Sequence, residues 1–373
     1  MFQESESEMN IISPYQGLPE RSYWRSGVSR QSPDTVSDLY IKKFSLNPRD
    51  KIITAGSCFA QHISRQLRKR GCGIVDAEPA PPGLLEDQGH KYGYHLYSAR
   101  YGNIYTVRQL LQLVREARGK FKPAEWIWEK DGRFFDALRP SVEPEGLRSA
   151  EEVVAHREIH LGRVRGMFAR ADVFIFTMGL TEAWQHRSSG TVFPTAPGTI
   201  AGQYDPVEYE FINFDYSDIY SDFIRVRRIL KARRPDMRFL LTVSPVPLTA
   251  TASGDHVLAA TLYSKSVLRA VAGRLAQQFD DIDYFPSYDL IASHFSKAAF
   301  YEGNLRSVTS AGVEAAMRVF FAQHDMGAEP ALRSTDAIAA VPEMDPANSL
   351  ADVAVDDADD LVCEDALLEA FGR

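Results

Sequence analysis

Cysteine is scarce. Cys58, Cys72 and Cys363 stand apart in a chain of 373 residues, too few and too scattered for a disulfide framework or a structural zinc site, whose thiolates come in close pairs. That usage fits a reducing cytoplasm, the expected location. Long apolar runs are missing too, since no window approaches the ~20 consecutive apolar residues of a membrane helix. The start, MFQESESEMNIISPYQGLPERSYWR, lacks the basic head and apolar core of a signal peptide. Positive charge is in deficit: 42 Lys and Arg against 50 Asp and Glu leave a net charge of -8. Counterion release needs clustered cations, so neither nucleic acid nor an anionic membrane is an expected partner. No internal repeat is present.

What remains is an ordinary globular composition, 45% hydrophobic and 25% charged, long enough to bury a large core. Residues 1–49 are polar and punctuated by proline, with aromatics in YWR and DLYIKKF, and read as an arm packed on a body. Residues 50–324 carry the periodic pattern. Short apolar runs at 52–55, 173–178, 237–244 and 282–285 read as strands. Helical spacing recurs over 58–69, 106–118, 149–171, 216–233, the segment LAATLYSKSVLRAVAGRLAQQF and 310–323, with Ser149 and Glu152 as a capping-box signature. Short apolar strands alternating with amphipathic helices predict a parallel α/β sheet covered on both faces, with a helical insertion between the first two strands. Residues 325–373 turn acidic, with the run DVAVDDADD, and read as a disordered tail. Its end, LVCEDALLEAF, has the pattern of a short amphipathic helix that docks on the body or on a protein partner.

In such a sheet, reactive groups gather where strands end. The sharpest stretch is KIITAGSCFAQHISRQLRKRG, where an apolar run stops at Gly56-Ser57-Cys58 and a helix begins. Ser57 is either a nucleophile whose own N–H helps to hold an oxyanion, or a turn serine capping the helix. Cys58, beside Phe59 and Ala60, is expected to face inward. His156 and His160 share a helical face at i, i+4, but no zincin-type carboxylate accompanies them, so neither a metal nor a cofactor is expected.

Six ordered motifs carry a resemblance: GSCFA at 56–60, RYGNIYTVRQLL at 100–111, GLTEAW at 179–184, FPTAPGT at 193–199, SPVPL at 244–248 and YFPSY at 284–288. Together they resemble the GSCFA-domain family over roughly residues 12–322. That family looks like a branch of the GDSL/SGNH hydrolase superfamily, which implies a three-layer α/β/α, flavodoxin-like fold of SGNH type. The resemblance implies Ser57 as nucleophile, with Gly102, Asn103 and Thr181 stabilising the oxyanion and Glu182 as an orienter for a histidine or a substrate hydroxyl. The superfamily's Asp-x-x-His slot falls on Asn304-Leu305-Arg306-Ser307, which holds neither acid nor base. Of nine histidines, His256 is the preferred base, because its loop follows a strand end and Asp255 precedes it; His294 is second. The function implied is an ester hydrolase or acyltransferase acting through an acyl-serine on an acylated carbohydrate or other small ester. The alternative is an impaired SGNH-fold module that binds carbohydrate or serves assembly. Tyr92, Tyr94, Tyr97, Tyr101 and Tyr105 read either as a sugar-stacking surface or as packing. Arg100, Arg225, Arg227 and Arg306 add positive charge for an anionic ligand.

Overall fold

A computed structural model of the chain describes residues 13–324 and 364–371. The expected disorder of the tail falls mostly on residues outside those described. At the centre is a parallel sheet of four strands, β1 (Ile52–Gly56), β4 (Val173–Met178), β8 (Arg238–Val243) and β9 (Ile282–Tyr284), hydrogen-bonded in that order. Outside β1, Ile74 forms an isolated parallel bridge with Ile52, which leaves a rudimentary fifth strand at that edge. The resulting order is that of a flavodoxin-like, doubly wound sheet.

Period-two alternation sends side chains to two cores. Ile53 and Ala55, Phe174 and Phe176, Phe239 and Leu241 enter one core. It is closed by α3 (Val107–Glu116), α4 (Ala150–Arg170), α5 (Tyr216–Lys231) and α6 (Val257–Gln278). Ile52, Val173, Ile175 and Leu240 enter the other, beneath α1 (Phe59–Lys69), α7 (Ser287–Ala292) and α8 (Ser310–Gln323). The chain is therefore a three-layer α/β/α structure. The arm joins the second core through Val36, Tyr40 and Leu46, and the Tyr40 hydroxyl donates to Asp283 at 2.7 Å.

Helix ends follow local chemistry. Thr106 and Gln109 form a complete capping box at α3. At α4 only half of the expected box forms: Ser149 accepts the Glu152 N–H, while the Glu152 carboxylate turns to the Arg148 N–H at 2.9 Å. The insertion between β1 and β4 contains the short α2 (Glu86–Lys91) and an antiparallel hairpin, β2 (Ile127–Lys130) with β3 (Arg133–Asp136). A second small sheet follows β4. Its strands are β5 (Glu182–His186), β6 (Val192–Phe193) and β7 (Tyr209–Asn213), with β5 in the middle. The hairpin and this sheet share an aromatic core of Trp128, Phe135, Phe193 and Tyr209. No helix among the described residues is long and apolar enough to cross a membrane.

Candidate active site

The chain leaves β1 for α1 on one face of the sheet and leaves β4 for α5 on the other, so the loops after β1 and β4 diverge. That divergence is the topological switch point, where open α/β sheets bind ligands. Ser57 and Gly179 meet there. A Cβ placed on Gly179 would lie 2.9 Å from the Ser57 Cβ, so only glycine lets the two loops approach this closely. Gly56, the residue paired with Thr177 across the ladder, has φ +140°, and a Cβ there would lie 2.8 Å from the Thr177 Cβ. The GS of GSCFA is thus fixed by close strand packing as much as by chemistry.

Ser57 is 2% exposed, and its hydroxyl has no hydrogen-bond partner among the described residues. It does not cap α1: the residue preceding that helix is Cys58, with no side-chain cap bond. Cys58 is itself buried. The Ser57 N–H donates to the Thr177 carbonyl at 3.2 Å, extending the ladder rather than opening toward a ligand. In the strand end and loop beside the serine, the buried hydroxyls of Thr177 and Thr181 also lack partners among the described residues.

The segment after Gly102, which has φ +65°, stitches the crevice. Ile104 donates its N–H to the Gly56 carbonyl at 2.9 Å, and the Tyr105 carbonyl accepts from both Gly179 and Leu180 at 3.0 Å. Asn103 is buried and accepts a hydrogen bond from the Tyr97 hydroxyl, which also lies 3.2 Å from the Ser57 carbonyl. Asn103 and Ser57 are therefore held by one tyrosine. Tyr97, Tyr101 and Tyr105 are all buried, so these three are packing and present no sugar-stacking surface, whereas Tyr92 and Tyr94 are half-buried and the Tyr94 ring is covered by Arg100 at 4.0 Å. The arginines are also engaged: Arg100 pairs with Glu143 at 2.7 Å, Arg225 with Asp222 at 3.7 Å and Arg227 with Asp281 at 2.7 Å.

The loop after β4 is anchored from α6. Ser264 accepts the Thr181 N–H at 3.0 Å, and Lys265, 1% exposed, donates to the Gly179 carbonyl at 2.7 Å. These two anchors escape a sequence reading of motifs. Their signal was a serine and a lysine on the stripe that also carries Leu268, Val271 and Leu275, all buried.

Beyond the loop lies a cleft of about 180 Å3, lined by Leu180, Glu182, Trp184, Phe211, Leu248 and Thr251 among others. Ser57 is not in its wall. The Glu182 carboxylate accepts from the Thr251 hydroxyl at 2.8 Å. Burial pushes its pKa above the usual carboxylate value, the Thr251 hydrogen bond opposes that rise and Asp255 adds to it. Trp184 meets Tyr204 and Phe211 edge to face, at 5.1 and 5.9 Å. A larger cavity, about 540 Å3, lies among the last residues of α3, α4 and α5, away from every motif loop.

The histidines are dispersed. His256 is exposed and caps α6, its Nδ1 accepting the Leu258 N–H at 3.1 Å. An imidazole accepting at Nδ1 carries its proton on Nε2 when neutral, which makes that second nitrogen a donor. His294 stacks on Trp24 of the arm, ring centroids 5.3 Å apart. His62 is lowered to about 4 by burial and by Arg65. His160 and His156 turn to separate carboxylates, Glu78 at 2.8 Å and Glu143 at 3.8 Å. In the 304–307 segment, the Asn304 side-chain Oδ1 accepts the N–H groups of both Arg306 and Ser307 at 2.9 Å. The slot is an Asx-type turn leading into α8.

A family model described as the GSCFA family matches residues 51–320. The chain therefore belongs to the GSCFA family, and the match takes in all four parallel strands and every loop described above. No curated protein matches the chain.

Proposed function

We propose that this GSCFA protein is an ester hydrolase or acyltransferase of GDSL/SGNH type, carrying an acyl group on Ser57 and acting on an acylated carbohydrate or other small ester. The observation that supports it is the Ser57 hydroxyl, set at the switch point of a doubly wound sheet and buried without a hydrogen-bond partner among the described residues. A buried polar group left unpaired is costly, and such exceptions cluster where a ligand completes the site. Asn103 and Thr181 flank the loops that meet at this serine and are the candidate oxyanion donors, with Gly102 setting the turn.

For the proton, Glu182 is the stronger candidate. Its carboxyl is raised by burial and faces a cleft, the condition under which a carboxyl becomes a useful base. His256 in its capping state offers Nε2 as a donor. For the Ser57 oxygen to attack an ester carbonyl, and for water or an acceptor hydroxyl then to reach the acyl carbon, the Asn103–Tyr105 stitch or the Gly179–Glu182 loop must shift. The 2% exposure of Ser57 favours a second reading, a module that keeps the fold and binds a glycan without turnover.

A serine-directed fluorophosphonate separates the two. Labelling of the full chain that is lost in Ser57→Ala, slowed at least ~100-fold in Glu182→Gln and kept in His256→Ala supports the enzyme as assigned. Labelling that persists in Ser57→Ala overturns the nucleophile, and an unlabelled wild type that retains glycan binding establishes the module.

A further inference from the structure

The cleft beside Glu182 is lined on one side by a residue far from it in sequence. Leu368, from the short helix Glu364–Phe371, contributes to its wall together with Leu180, Trp184, Phe211 and Leu248. Its neighbours Leu367 and Phe371 are 50% and 69% exposed, so one leucine of the helix is taken in while the apolar residues beside it stay in water. Residues 325–363, a stretch of 39 positions, tether this helix to the body. At about 3.3 Å per extended residue, such a tether reaches any point of a domain this size.

We infer that Glu364–Phe371 is an internal ligand of this cleft: Leu368 stands where the apolar group of a substrate would sit, and a ligand gains the cleft when the helix leaves. The docking itself follows from the contact, whereas the regulatory consequence rests on the acyl-transfer reading above. The cleft suits a short acyl chain. With Leu368 in its wall the cleft keeps about 180 Å3 open, and departure of the helix adds the leucine's own volume to that space. The wall is apolar and aromatic except where Glu182, Thr195, Thr249 and Thr251 supply polar atoms, the composition of a site that buries an alkyl chain and orients a polar end. A tethered segment needs little intrinsic affinity to compete, because the tether raises its effective concentration. One half-buried leucine therefore makes an exchangeable plug rather than a permanent seal.

The test compares full-length wild type, Leu368→Asp and Leu367→Asp. With the helix docked, Leu368→Asp is expected to raise the emission of the apolar fluorophore anilinonaphthalene sulfonate by about threefold or more and to speed amide exchange at 180–184 and 248–252 by about tenfold. Leu367→Asp changes neither. Equal dye binding and exchange in all three proteins would overturn the docking. Turnover of p-nitrophenyl butyrate reads the second half: a lower KM in Leu368→Asp supports the plug as a regulator. If the dye and exchange change while no protein turns over the ester, the docking stands and the acyl-transfer reading fails.

Discussion

Two sets of buried polar side chains in this molecule are handled in opposite ways. In the insertion, Arg157 reaches Asp136 and Glu116, each at 2.9 Å. Arg139 also binds Asp136, at 2.8 Å, and His160 meets Glu78 at 2.8 Å. Charges there are paired almost atom for atom, with His160 Nε2 an exception. Where β1 and β4 end the groups are neutral hydroxyls, and those of Ser57, Thr177 and Thr181 have no partner among the described residues. The paired set clamps β3, α3 and α4 together. The unpaired set includes the serine at the switch point, where open α/β sheets bind ligands.

The largest expected effect breaks the paired set. Arg157→Met leaves Asp136 and Glu116 facing each other without their shared cation, and loss of one partner from a buried ion network costs about 3–5 kcal/mol. Urea unfolding of the variant should show it. Adding Glu116→Leu to the same protein should recover part of the loss, because Asp136 keeps Arg139 as its cation and a well-packed apolar replacement is tolerated where an orphaned charge is not. A loss under about 1 kcal/mol in Arg157→Met would mean the network is solvated and the contrast with the hydroxyl edge false.

Next in size is a pH effect at the same network. Burial, with Arg139 beside it, lowers His160 to about 4 despite the nearby Glu78 carboxylate, against an ordinary value of about 6.5. The folded chain refuses a proton that the unfolded chain accepts, so this contribution is complete above about pH 6.5 and is lost as pH falls toward 4. Between those limits His160 should make stability fall by up to about 1.4 kcal/mol per pH unit. His62, lowered to about 4 chiefly by burial, adds to the same slope. His160→Gln should flatten the profile between pH 6.5 and 4; an unchanged slope would show that the imidazole titrates freely in the fold.

How much of this was readable from the chain differs between the same two regions. The parallel strands and their helices were legible, because a strand buried on both faces is a continuous apolar run and each helix carries a cap or a 3.6-residue stripe. The strand at 173–178 and the helix at 310–323 were read at the bounds they have. The sheet of β5, β6 and β7 was not legible. GLTEAW reads as a loop because its strand is half polar and finds its partners in YEFIN and VF, which follow in the chain and have no period of their own. The site was legible as a set of loops and illegible as chemistry. Motif order located Ser57 and Glu182, but only packing shows that the serine hydroxyl is unpaired, that its N–H is spent on β4, and that Ser264 and Lys265 brace the loop beside it. The 304–307 turn shows why the expected dyad could not be recovered: Asn304 is there to close a turn.

The smallest effect gives the sharpest test, because it sets two serines of the same edge against each other. Ser57 follows β1 and Ser287 follows β9, and both are buried. Ser287 shares a 2.6 Å hydrogen bond with the Thr242 hydroxyl and lies 3.2 Å from the Val243 carbonyl, so it is bound to the strand beside it. Ser57 has no such bond. Alanine at 287 removes a satisfied pair and leaves Thr242 buried alone, which costs about 1–3 kcal/mol. Alanine at 57 removes only a hydroxyl already paying for its own desolvation, so stability should stay level or rise by about 1 kcal/mol. A residue that weakens the fold and has no structural partner is the pattern of a functional group retained against stability. Thermal or urea unfolding of the two variants reads the sign directly. Should Ser57→Ala lose as much as Ser287→Ala, the hydroxyl has a structural partner after all, and the case for Ser57 as the acyl carrier loses its foundation.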